Sequence, residues 1–147
     1  MKHSKHRTFE YSQIDENIFI GTNMCCITHF DEELIRKGVT ADISLEGERM
    51  DHPEGTKMFL WLPTVDHTAP SPEQLRTGVD MLTSIVKQNQ KVYVHCMNGH
   101  GRAPTLVAGY YISLGMTVEE AIEKIQAKRS TIHLDDVQVK ALRNFVV

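Results

Sequence analysis

An α/β domain, with a central, mostly parallel sheet of about four to five strands between layers of helix, is the fold class that the sequence predicts. Three observations lead there. Apolar runs of strand length recur at residues 18–20, 39–45, 58–62 and 91–96. Segments with helical periodicity and helix start signals lie between the later runs, and alternation of this kind joins parallel strands. The 147 residues also hold no internal repeat and no Gly/Ser linker. Such a length suits one compact domain with about two-thirds of its chain surface buried.

Ile18-Phe19-Ile20 is short and apolar, and Gly21 closes it as an early strand. In FDEELIRK, residues 30–37, Phe30, Leu34 and Ile35 fall on one helical face and Gly38 supplies the stop. VTADISL, residues 39–45, reads as a buried strand, and a polar loop through EGERMDHPEG follows it. MFLWL, residues 58–62, is a further strand that Pro63 ends. Ser71, Pro72 and Gln74 make a strong helix start, a capping box with proline at the first helical position. That helix is predicted to run to about residue 88, turning Leu75, Val79, Leu82 and Val86 inward. KVYVHC, residues 91–96, is the last strand, and a glycine-containing loop leads from it into a helix over about 103–114 that Gly115 stops. Thr117 with Glu120, and Asp135 with Gln138, are two more capping boxes that open helices, the first predicted to reach about residue 128.

Sixteen Lys and Arg against nineteen Asp and Glu leave a net charge of -3, which argues against attachment to nucleic acid or anionic lipid by net charge. Residues 1–8 begin with the basic string MKHSKHR and no apolar stretch follows it, so they read as a flexible solvated tail ahead of one domain over residues 9–147. No apolar run approaches the roughly 18 residues of a membrane span. A soluble, cytoplasmic, monomeric domain is the expectation. Three cysteines, two of them adjacent, make a poor disulfide framework. Cys25 and Cys26 read as small buried filler, with a protective disulfide to Cys96 as the alternative. The eight histidines are scattered, no Cys/His pair has zinc-finger spacing, and no metal site is predicted.

The chemistry concentrates in HCMNGHGR, residues 95–102, between the last strand and the helix beginning APTLVAGYY. This places Cys96 at the carboxyl end of a strand and a short loop at a helix N-terminus, where backbone N–H groups and the helix dipole favour an anion. Gly99 and Gly101 let the chain curl tightly. Arg102 brings a planar guanidinium able to grip two phosphate oxygens. Such surroundings favour a thiolate, and a thiolate facing a cradled phosphoryl group is a nucleophile aimed at phosphorus.

Cys96, five residues and Arg102, with His95 and Gly99, have the form His-Cys-x-x-Gly-x-x-Arg. The string resembles the signature of the cysteine-based protein tyrosine phosphatases, and element order from about residue 9 to the end is similar to a compact dual-specificity phosphatase. Low-molecular-weight tyrosine phosphatases and arsenate reductases share the spacing but carry the loop near the N-terminus. The resemblance implies a hydrolase of phosphomonoesters in which Cys96 forms a phosphocysteine. Arg102 and the amides of Met97, Asn98, Gly99, His100 and Gly101 bind the phosphate, and His95 supports the geometry of the loop. Asp66, in LPTVDHTAPSPEQL thirty residues before Cys96, matches the general acid on the family's upstream loop. It protonates the leaving oxygen and then serves as base toward water. No cofactor and no metal are implied. The partner is a phosphorylated protein or another phosphomonoester, with no nucleic acid expected.

One departure stands out. The family usually has Ser or Thr after the arginine, and here Ala103 and Pro104 follow, so slower breakdown of the phosphoenzyme is expected. Gly-Arg-Ala-Pro resembles the plant phosphoglucan phosphatases over these few residues. No Lys or Arg stands inside the loop to meet additional phosphates. His133, Asp135 and Asp136 read as a cap and solvated groups near the cleft, and Trp61 as packing. Phosphotyrosine, with phosphoserine and phosphothreonine, is the default substrate class. A phosphatase of a glycan, lipid or RNA end and an inactive phosphate-binding module are the alternatives.

Overall fold

The structure is a computed structural model that describes residues 9–24 and 30–146. The predicted tail and both Cys25 and Cys26 lie outside the described residues. Five strands form one sheet in the order β1-β2-β5-β3-β4: β1 (Tyr11–Gln13), β2 (Ile18–Gly21), β3 (Val39–Glu46), β4 (Met58–Thr64) and β5 (Lys91–His95). Only β1 runs antiparallel to its neighbour among these pairings, and β5 lies between β2 and β3, with His95 opposite Gly21 on one side and Ser44 on the other.

Side chains alternate across the sheet, so each strand feeds two layers. Ile18, Ile20, Ile43, Val92 and Val94 enter the larger core under α2 (Pro72–Lys87), α3 (Arg102–Ser113), α4 (Val118–Gln126) and α5 (Asp136–Arg143). Phe19 and Tyr93 point the other way, into a smaller cluster capped by Phe30 and Leu34, the latter from α1 (Glu32–Arg36). The predicted three-layer α/β class is thus present, with four helices on one face and one short helix on the other among the described residues. Both capping boxes at α2 and α4 form, and Asp135 at the start of α5 donates its backbone N–H to Gln138 Oε1 at 2.8 Å.

Four details differ from the sequence reading. Strand β1 was not anticipated, because Tyr11-Ser12-Gln13 has no apolar alternation and is held through the backbone of β2. Pro63 does not end β4, which continues to Thr64; β4 is the outer strand, and an edge position tolerates a residue with no N–H to donate. Ile35 is 42 % exposed, since a five-residue helix buries one narrow stripe and Leu34 occupies it. In α2, Ile85 takes the buried place expected of Val86, which packs at the margin of the core. Among the described residues, no helix is long and apolar enough to cross a membrane.

Candidate active site

Cys96 follows the central strand directly, and Arg102 opens α3, so the intervening loop joins the carboxyl end of β5 to a helix N-terminus. The loop's carbonyl groups are all engaged away from its centre. Met97 C=O accepts from the Asn23 amide at 3.4 Å, and His100 C=O from the His133 amide at 2.9 Å. The buried Arg129 donates from Nη2 to Asn98 C=O at 3.0 Å and from Nε to Gly99 C=O at 2.8 Å. Gly101 C=O takes Thr105 Oγ1 at 2.7 Å. Because C=O and the following N–H oppose one another in a trans peptide, outward carbonyls turn the next amides inward. One of them, Gly99 N–H, already reaches Cys96 Sγ at 3.2 Å. Gly99 has φ +70, and a Cβ there would stand 2.6 Å from Gly21 O, so both its conformation and its space require glycine.

Arg102 is buried, and its five N–H groups can be accounted for. Nη1 donates to Glu48 Oε1 at 2.5 Å and to Thr64 C=O at 2.8 Å, while Nη2 donates to Glu48 Oε2 at 3.1 Å. That leaves the Nε–H and one Nη2–H, a pair on one edge of the guanidinium suited to two oxygens of an anion. Burial works against the charge, but Glu48, Cys96 and Asp66 together outweigh it, and the Arg102 guanidinium is held still more firmly protonated. Asp66 Oδ1 accepts from the His67 amide at 2.9 Å and stands 3.5 Å from Arg102 Nε. His67 sits at φ 64 and connects onward through Nδ1 to Asp135 Oδ2 at 3.1 Å.

A pocket of about 50 Å³ joins Cys96, Asn98, His100, Gly101, Arg102 and Asp66, with His67, His133, Asp135 and Gln138 around its mouth. Met97 and Gly99 belong to the loop without lining the pocket. The acid loop and Cys96 meet at one edge of the sheet, although β4 and β5 are not neighbours and β3 lies between them. His95 points into the opposite layer, stacked on Tyr93 with its Nε2 2.9 Å from Asp42 Oδ1. Burial opposes its charge, yet Asp42 and Asp51 raise the imidazole above its ordinary value. Burial and the nearby Arg129 and His133 push His100 below its ordinary value, so it adds no charge to the loop at neutral pH. Ala103 is fully buried, and the Thr105 hydroxyl is spent on Gly101 C=O rather than aimed at sulfur.

Three residues that the sequence reading did not single out as site residues shape the pocket. Glu48 and Arg129 act from 54 and about 30 residues away, and Gln138 Nε2 donates to Thr68 C=O at 3.0 Å, tying α5 to the acid loop. Glu48 carried a usable signal: it follows β3, a strand parallel to β5, so its loop opens on the same edge of the sheet.

The chain matches the family described as dual specificity phosphatase, catalytic domain, over residues 18–146. It is 39% identical over 88 residues to the human "Phosphatidylglycerophosphatase and protein-tyrosine phosphatase 1", an alignment covering 58% of this chain and 44% of that protein. It is 34% identical over 113 residues to the mouse "Protein tyrosine phosphatase type IVA 2", covering 70% of this chain and 65% of the relative. The chain therefore spans less than half the length of the human relative. Among solved structures, that of PTPMT1 in complex with PI(5)P superposes with a TM-score of 0.78 at 28% identity, covering 92% of this chain and 93% of the other.

Proposed function

Because the chain belongs to the dual specificity phosphatase catalytic-domain family, we propose that it hydrolyses phosphomonoesters through a phosphocysteine on Cys96. The observation that carries this reading is the closed ring of outward carbonyls from Met97 to Gly101, which leaves inward amides, the Cys96 sulfur and the Nε/Nη2 edge of Arg102 around one small pocket. Cys96 Sγ attacks phosphorus while Asp66 gives its proton to the departing oxygen, so an S–P bond replaces the O–P bond. Asp66, now a carboxylate, takes a proton from water, whose oxygen attacks phosphorus and returns the thiolate with inorganic phosphate. The loop amides and Arg102 hold the equatorial oxygens in both steps.

Residues 9–147 act as one catalytic domain, which works as a monomer in the reducing cytoplasm, where a thiolate nucleophile survives. A protein substrate carrying phosphotyrosine is the favoured one, with phosphoserine and phosphothreonine admitted. A lipid phosphomonoester is the second reading, favoured by the similarity to the human phosphatidylglycerophosphatase and protein-tyrosine phosphatase 1.

Hydrolysis of an aryl phosphate tests the chemistry. Cys96→Ser abolishes turnover, and Asp66→Asn lowers kcat by about 100-fold, the usual worth of a positioned acid. Activity that survives Cys96→Ser overturns the assignment. A folded but inactive wild type that binds phosphopeptide supports a binding module instead. Competition by phosphotyrosine peptide against a lipid phosphate separates the two substrate readings.

A further inference from the structure

On the face of the sheet away from the pocket, the fold assembles a second set of ligating side chains. Asp42 and Glu46 come from β3, Arg49 and Asp51 from the loop after it, and His95 from the end of β5. Asp42, Glu46, Asp51 and His95 are each at most 5% exposed. Arg49 Nε lies 3.0 Å from Asp51 Oδ1 and 3.6 Å from Glu46 Oε2, and the Asn23 amide donates to Glu46 Oε1 at 3.0 Å. His95 Nε2 is 2.9 Å from Asp42 and 3.7 Å from Asp51 Oδ2. One ligating atom from each of Glu46, Asp51 and His95 falls within 4.8 Å of the others.

Two features single this place out. Three buried carboxylates converge on one guanidinium and one imidazole. Independently, Asp51 Oδ2, Glu46 Oε2 and His95 Nδ1 are buried with no hydrogen-bond partner. Native interiors rarely leave such atoms unpaired without an ion or water to meet them. A dication answers both the convergence of carboxylates and the orphaned atoms.

We propose that Glu46, Asp51 and His95 bind a first-row divalent cation of the zinc type, a structural site separate from the phosphate pocket. One imidazole with carboxylates is a donor set for zinc, manganese or iron rather than for magnesium or calcium, which prefer oxygen alone. Asp42, 2.9 Å from the same Nε2 that faces Asp51, is a further carboxylate available to the cation. The site has a direct consequence for the pocket. Glu46 and Asp51 bracket Glu48, the residue that holds Arg102, so the cation pins both ends of that short segment to β5.

The test uses the full chain, stripped with chelator and titrated with zinc chloride. One equivalent binds, the thermal midpoint rises by about 5 °C, and amide exchange slows across residues 46–51. The isosteric variants Asp51→Asn and Glu46→Gln each weaken binding at least about tenfold, whereas Cys96→Ser leaves it intact. Either isosteric variant suffices if the other fails to fold. The proposal is overturned if neither zinc nor manganese shifts the midpoint, if the shift persists in both isosteric variants, or if it disappears in Cys96→Ser, which would place the zinc on the nucleophile. Because the readout is binding and stability, its failure leaves the phosphatase reading untouched.

Discussion

Replacing Glu48 by Gln removes one negative charge from beside Arg102 while keeping the shape of the side chain. In the native arrangement Glu48 takes two N–H groups of the guanidinium, at 2.5 and 3.1 Å, and Thr64 C=O takes a third. The two that remain form the edge toward Asp66 and the pocket. Hydrogen bonds to a charged group contribute about 1.5–3 kcal/mol each, but the Glu48 side chain is 35% exposed and solvent screens part of that. A net loss of about 1.5 kcal/mol in holding the productive edge of Arg102 follows. That corresponds to roughly a tenfold fall in kcat/KM on an aryl phosphate. The same variant weakens competitive inhibition by inorganic phosphate in parallel, since Arg102 binds the same oxygens there. Urea unfolding reports whether the domain itself is weakened. An unchanged kcat/KM, or a lower KM with tighter phosphate binding, refutes the reasoning: Glu48 would then be an internal anion competing for Arg102, not a group that positions it.

Three further outcomes are expected. Arg129→Met leaves Asn98 and Gly99 carbonyls without their partners and removes a buried guanidinium, so urea unfolding should show a loss of about 3 kcal/mol and kcat/KM should fall as the loop loosens; equal stability and activity would show that the loop holds its shape unaided. Ala103→Ser restores the hydroxyl usual after the arginine in the family, so rapid-mixing kinetics should show a phosphoenzyme burst in the wild type that shrinks in the variant. For His100, whose folded value is lowered by burial, the unfolded chain takes up the proton first, so stability falls as pH drops through the ordinary value of 6.5. His100→Asn removes that component, and urea midpoints at pH 7 and pH 5.5 should differ less in the variant than in the wild type.

The parts of the structure legible in the sequence are those coded by local pattern. The apolar runs at 18–20, 39–45, 58–62 and 91–96 became β2 to β5, and three pairs of capping residues marked α2, α4 and α5. Cys96 and Arg102 were legible because one loop carries both, and Asp66 because it follows a strand that ends at the same edge. What escaped was fixed by neighbours rather than by spacing. Pro63 reads as a stop until β4 is known to be the outer strand, and β1 has no apolar pattern because its pairing is through the backbone. The absence of metal-ligand spacing likewise says nothing about Glu46, Asp51 and His95, which meet only because Ser44 pairs opposite His95 when β3 and β5 align.

The two buried arginines show why the signature alone underdescribes the site. Arg102 belongs to the signature and Arg129 does not, yet each is as buried as the other and each is held by a glutamate reaching in from the surface, Glu48 and Glu10. Arg102 offers its remaining N–H groups to the pocket, while Arg129 spends two of its own on the loop's outer carbonyls and two more on Ser12 and Glu10. One guanidinium therefore faces the pocket and the other turns the peptide planes around it. Both arrangements depend on segments outside the loop: the residue 46–51 segment for Arg102, and β1 for Arg129. A perturbation of either segment should accordingly reach the pocket through an arginine, without any change in the residues from Cys96 to Arg102.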